Sequence, residues 1–397
     1  MKKQITMLFL LFIHLSSWSQ QSISTNGNCT NSMAHDAKGR WARMADLGTI
    51  KSSEAYKRLD AIHNMLFTIY PQPVGVDAAW RRKDGISYFG AKRRNFNRED
   101  GSTDYISLPH FFQFTYECGF FDYYCSEGKM IPGYPGETGA VITVFANNLS
   151  HFIGDGLSDC DMNLNGFPVK TRYVFKEKWK GYDLYTAEVG TSTHSVLIHR
   201  PGMLPYIPVT RKQYLEHSIT HLTTMYDEIV NGLEKIPVRS LEEQEKEKNT
   251  KLEKFKKDFA SDPKKLKSNM DYYLSGYQTD QQRRDEQVSK AKKNKTDIII
   301  RYKDELDKTT REGLLDSPAC TIGMHLPDLV SPIFADEDKG NMLVVDNPAY
   351  TRKDLPKHIP QFFVLTWQGM SRGVRGEVGK VIKEKFPVEK LQAMIDK

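Results

Sequence analysis

Residues 195–215 read SVLIHRPGMLPYIPVTRKQYL, and this stretch decides the fold class. Ser195 to His199 reads as a strand, and Arg200-Pro201-Gly202 turns the chain. Thr210 and Gln213 then have capping-box spacing. The threonine hydroxyl can accept from the Gln213 amide, and the glutamine side chain can reach back. Val209 and Tyr214 stand where a hydrophobic staple would place them, and Leu215, Leu222, Tyr226, Ile229 and Leu233 continue an apolar stripe at helical spacing. A strand running through a turn into an amphipathic helix predicts an α+β fold.

Upstream, Ser53 to Ile69 predicts a helix that Ser53 can cap. Tyr56, Leu59, Ile62, His63, Leu66, Ile69 and Tyr70 form its apolar face, and Pro71 and Pro73 stop it. Short aromatic and β-branched runs follow: Ile86 to Phe89, Phe111 to Tyr116, Ala140 to Phe145, Tyr173 to Phe175, Tyr182 to Val189 and Ser195 to Arg200. Glycine- and asparagine-rich turns separate them, the pattern of an antiparallel sheet with hairpins. Tyr105 to Tyr124 is densely aromatic. As a strand it would put one set of rings in the core, with the other face covered or presented as a sugar- or peptide-binding platform. Downstream, Met342 to Val345 and Gln361 to Trp367 read as strands, and Val378 to Phe386 and Val388 to Ile395 as helices.

The 397 residues are 27% charged and 39% hydrophobic, which excludes a wholly disordered chain. The formal charge is +6, or +4 once Lys2 and Lys3 are set aside. Arg239 to Lys295 alone holds 16 basic and 11 acidic residues, a local excess of five. The basic balance thus belongs to one polar helical segment and argues against nucleic acid as a partner. Within it, Leu252, Phe255 and Phe259 form a narrow apolar stripe, Asp262-Pro263 breaks the helix, and a second polar stretch runs from Thr279 to Thr296. Such helices bury little and read as an outlying hairpin or arm, with Lys246 to Lys267 as its most basic part. Ile298, Ile299, Tyr302 and Leu306 resume a buried pattern.

The N-terminus reads as a signal peptide over residues 1–19. Lys2 and Lys3 are the basic region, Ile5 to Leu15 the apolar core, and Ser17-Trp18-Ser19 the cleavage site before Gln20. No later stretch predicts a transmembrane segment. The expectation is an exported soluble protein, periplasmic or extracellular. The expected divisions are 20–237 as an N-terminal α+β region, 238–296 as a charged helical insert, and 297–397 as a C-terminal α+β region packing back on the first. Cys118 and Cys125 flank an aromatic run closely enough for a local bridge. Cys29, Cys160 and Cys320 have no pairing readable from spacing.

Several motifs fail on inspection. Asp161-Met-Asn-Leu-Asn-Gly166 matches the first half of a calcium loop, but its twelfth position is Arg172, and Asn165-Gly166 fits a hairpin turn. His217 and His221 are one helical turn apart, but Ser218 stands where a zinc protease needs glutamate, and no third ligand is evident. His194-Ser195 with Asp155, Asp159 and Asp183 lacks a nucleophile elbow. Gly133 to Gly139 is not a phosphate-binding loop. No metal and no cofactor is expected.

The strand-turn-helix junction is the strongest site candidate. Arg200, Tyr206, Thr210, Arg211 and Lys212 combine helix-start amides with cations, which suits an anion. The alternative is that Thr210 and Gln213 only cap the helix while Arg211 and Lys212 face solvent.

Four segments, Ile69–Gly75, Val196–Leu215, Asp346–Tyr350 and Pro360–Phe363, resemble uncharacterised exported proteins of Bacteroidota-type bacteria. The resemblance implies an envelope or secreted location and one co-folded unit on both sides of the charged insert. It implies no activity. The expected function is a binding or interaction protein with an envelope glycan, peptide or protein as partner. A cell-envelope hydrolase is the alternative.

Overall fold

The computed structural model describes residues 29–48, 52–84, 112–133, 140–149, 152–154, 162–164, 167–186, 193–322, 332–368 and 373–397. The elements in chain order are α1 (Asn31–Asp36), β1 (Trp41–Arg43), α2 (Ser53–Ile69), β2 (Val76–Asp84), β3 (Phe114–Ser126), β4 (Lys129–Pro132), β5 (Ala140–Ala146), β6 (Ile153–Gly154), β7 (Asn163–Leu164), β8 (Phe167–Pro168), β9 (Lys170–Arg172), β10 (Val174–Trp179), β11 (Tyr182–Thr186), β12 (Thr193–Ile198) and β13 (Tyr206–Pro208). Then come α3 (Arg211–Glu234), α4 (Leu241–Asp258), α5 (Pro263–Gly276), α6 (Asp280–Arg311), β14 (Cys320–Thr321), β15 (Asn341–Asp346), β16 (Phe363–Gln368), α7 (Gly373–Lys385) and α8 (Val388–Gln392). The fold is α+β. The expected leader over 1–19, the run Ile86 to Phe89 and Cys160 lie outside the described residues.

The chain forms two compact units. The first comprises Met1–Val209, Ala319–His325 and Phe334–Lys397. Its nine-stranded sheet has the order β1-β2-β3-β5-β16-β12-β11-β10, with β4 paired to the far end of β3. Only the β1–β2 pair is parallel. One face of this sheet is covered by helices. Leu59, Ile62 and Leu66 of α2, with Val378, Ile382 and Phe386 of α7 and Leu391 of α8, meet Val76, Tyr116, Ile142, Leu365, Val196 and Leu184 in one core. Helix α2 has the expected bounds, but the cap is Ser52, whose hydroxyl accepts from Ala55 N.

The second face is partly covered by a smaller sheet of order β13-β15-β9-β6, with β14 paired to β15. Phe145, Leu197 and Val364 of the large sheet pack there against Tyr206, Met342 and Val344 of the small one. Both faces of β3 are therefore largely buried up to Tyr123, and the aromatic run is not an open platform. β7 and β8 pair as an antiparallel hairpin across residues 165–166, where a hairpin turn was expected.

Cys125 is bridged to Cys29, and not to Cys118. Seven residues of extended strand span about 23 Å, far beyond disulfide reach. Cys118 is buried in the helix-side core, and burial pushes its thiol well above the usual range; Cys320 is a second buried thiol.

The second unit comprises Thr210–Pro318 and Leu326–Ile333. It is larger than the charged stretch 238–296 because α3 and α6 run antiparallel as a pair. Tyr214 stands beside Tyr302 with hydroxyls 3.5 Å apart, Lys295 donates to Asp227 at 2.5 Å, and Lys292 to Glu234 at 3.0 Å. Leu215, Ser218, Leu222 and Val230 are the other buried positions of α3; Ile229, expected in the stripe, is exposed. Helices α3, α4 and α6 each begin with a complete capping box, at Thr210/Gln213, Ser240/Glu243 and Thr279/Gln282. The α4–α5 hairpin is closed by Phe255 packed edge-on to Tyr273 and by the buried amide of Gln244. That amide donates to Arg239 O and accepts from Asp280 N, both at 2.7 Å.

Candidate functional site

The residues expected to bind an anion are committed to internal structure. Arg200 lies 4.1 Å over the Tyr350 ring, donates to Gln361 Oε1 at 2.8 Å and to Tyr350 O, and pairs with Asp396 at 3.0 Å. Tyr206 is buried, its hydroxyl 3.5 Å from Arg172 Nη1. Thr210, Arg211 and Lys212 belong to the second unit, at the start of α3. There the amides of Arg211 and Lys212 donate to Ser317 O and Leu315 O, and that of Gln213 to Thr210 Oγ1. No backbone amide of residues 211–213 is left for an anion. Lys212 is exposed, 4.0 Å from Glu216.

Three of the four segments that carry the resemblance converge on Tyr350. Its hydroxyl donates to Gln361 O at 2.6 Å and accepts from Arg200 N at 3.2 Å, and Asn347 donates to Leu204 O and Pro205 O. Their residue types are explained by this polar junction.

His217 and His221 stack with ring centroids 5.8 Å apart, and no cluster of three metal-binding side chains occurs among the described residues. His194 and Ser195 point to opposite faces of β12: the histidine packs edge-on to Trp367, and the serine faces the small-sheet side. They cannot act as a pair. Arg172, the misfit of the calcium loop, is buried, donates to Glu337 at 2.6 Å and lies 4.6 Å over Tyr185.

A different set of residues is brought together by strand pairing. On the face turned away from the helices, Arg81 is opposite Glu117, Glu117 opposite Thr143, Thr143 opposite Thr366, Thr366 opposite Ser195, and Ser195 opposite Tyr185. This polar row crosses six strands and so extends about 24 Å. At one end Arg81 Nε donates to Glu117 Oε1 at 2.8 Å, and Lys83 donates to Glu117 Oε2. Burial pulls the Lys83 ammonium below its usual range although Glu117 opposes the shift. At the other end Tyr185 donates to Asp183 at 3.1 Å, and burial raises its phenol.

The middle of the row is polar but unanswered. Thr143 is 7% exposed and Thr366 8%, yet neither hydroxyl hydrogen-bonds a described residue. Gln368, one step along the same face of β16, has a buried side-chain oxygen with no partner. The buried Gln368 oxygen costs about 1–3 kcal/mol when left unsatisfied. Hydroxyls and amides can both donate and accept, so the trio offers a neutral, adaptable lining between two ionic ends.

The junction reading overlooked this row. Its signal was a single polar residue amid each apolar strand: Glu117 in FTYECGFF, Thr143 in AVITVFA and Thr366 in FVLTWQ. Comparison with family models, curated proteins and solved structures gives no match for this chain.

Proposed function

We propose that this chain is an exported binding protein whose ligand is a polar molecule, best an envelope glycan, that meets the cross-strand row at Thr143, Thr366 and Gln368. The observation that carries the reading is the polar trio Thr143, Thr366 and Gln368 on one face of β5 and β16, where the Gln368 side-chain oxygen is buried without a partner. Sugars present closely spaced hydroxyls that pair with hydroxyl and amide side chains, and the row is longer than one sugar ring. Export is supported by the signal-like N-terminus and by the Cys29–Cys125 bridge, since disulfides persist in oxidising compartments. The resemblance to exported Bacteroidota-type proteins agrees with that location. No described helix is long and apolar enough to cross a membrane.

The test is calorimetric titration of the chain from Gln20 with peptidoglycan-derived and other envelope oligosaccharides. The wild type should bind, and the T143V/T366V pair should weaken binding at least ten-fold, about 1.4 kcal/mol, with little change in thermal stability. Binding unchanged by the pair would remove the row from the ligand site.

A hydrolase is the second reading, favoured by Glu117 held between Arg81 and a desolvated Lys83 at one end of the row. It requires glycan or peptide turnover that E117Q abolishes. Binding without turnover leaves the binding protein.

A further inference from the structure

We propose that the closed end of the α4–α5 hairpin docks on a phosphate-bearing lipid surface. Lys254, Lys256 and Lys257 end α4, and Lys264, Lys265 and Lys267 begin α5. All six are exposed around the turn Phe259–Asp262, against the three acids Glu253, Asp258 and Asp262. Lys256 pairs with Glu253 at 2.7 Å and Lys265 lies 3.8 Å from Asp262. Lys254, Lys257, Lys264 and Lys267 form no ion pair among the described residues.

Lys256 and Lys257 suit the negative end of the α4 dipole, but local helix stability does not account for the lysines that begin α5. Two lysines and no acid occupy the first turn of α5, at the positive end of the helix dipole. Lys254/Lys257 and Lys264/Lys267 are like-charge pairs three residues apart, a spacing that repels. The compensating acids of α4, Glu242, Glu243, Glu245 and Glu247, lie about 10 Å or more back along the axis. That exceeds the screening length of about 8 Å at physiological salt, so the tip acts as a separate positive field. The Phe255–Tyr273 contact stiffens the hairpin behind the tip. A cluster of exposed lysines on both sides of one helix turn, instead of along a groove, fits contact with a plane of phosphates more than wrapping of a strand.

The experiment is vesicle co-sedimentation of the chain from Gln20 with phosphatidylglycerol-containing and pure phosphatidylcholine vesicles, at low and high salt. The wild type should bind only the anionic vesicles, and salt should release it. K254Q/K257Q/K264Q/K267Q should lose binding, and K257Q or K264Q alone should weaken it about five-fold each. Circular dichroism of each variant checks that the helices persist, and the single variants carry the test if the fourfold change unfolds the hairpin. No binding to anionic vesicles, binding equal in the variants, or binding to heparin but not to vesicles would overturn the proposal. The outcome is independent of the polar row, whose variants lie in the other unit.

Discussion

Gly39 shows how closely two strands can specify one position. A β-carbon there would lie 1.6 Å from the carbonyl oxygen of Val76, while Gly39 N donates to Pro73 O at 2.9 Å. Gly39→Ala must push β2 from its place and should lower stability by about 3 kcal/mol, read as a fall in the urea midpoint. Two histidines set the acid limit. His63 stacks on Trp80 at 4.0 Å and meets the Tyr116 hydroxyl at 3.1 Å; burial pulls its pKa down to about 4. His194 falls to about 4 for the same reason, aided by Lys176 and Lys383. An unfolded histidine titrates near 6.5, so between about pH 6.5 and 4 the unfolded chain binds more protons. The stability that these rings contribute is complete above that window and lost as pH falls through it. Thermal melts should show the midpoint dropping across this interval, and H63F should flatten the drop; a flat wild-type profile contradicts the assignment.

Helix starts were the most legible elements, because a cap is written in residues three apart. The Thr210/Gln213 box was readable for that reason, whereas the bounds of α2 came from its apolar spacing and the prolines that stop it, with the cap one residue earlier than expected, at Ser52. Caps and clamps differ in consequence. Thr210→Ala should cost about 1 kcal/mol, the loss of one cap bond. Gln244→Ala should cost more, about 2–3 kcal/mol, because it leaves Arg239 O and Asp280 N without their partner inside the helical unit. Urea unfolding of both variants tests the order. Strand partners were not legible. Thr143 and Thr366 are more than two hundred residues apart, and nothing in either strand names the other. Their register comes from pairing across the sheet, so the polar row existed only as isolated interruptions of apolar runs. Cys29 and Cys125 escaped for the same reason: nearness in sequence favoured Cys118, while the extended strand carries Cys118 into the core.

The assembled sheet ties distant parts of the chain together. The bridge fastens α1, through Cys29, to the β3–β4 hairpin across a sequence separation of 96. Closing so long a loop stabilises by about 4 kcal/mol in the chain-entropy account. The C29A/C125A pair should therefore melt well below the wild type, and reducing agent should lower the wild-type midpoint while leaving the pair unchanged. The chain leaves the small sheet after β13 to form the helical unit and returns to the small sheet at β14, so the charged segment can vary without altering any strand order.

The central place of β16 has a consequence for the timetable of synthesis. β1, β2, β3 and β5 form one half-sheet and β12, β11 and β10 another, and only Phe363–Gln368 joins them. Until that strand leaves the ribosome, each half has an open border and neither has its full core. Maturation of the first unit waits for a strand made long after β5 and β12, and the early strands need protection from sticking to one another.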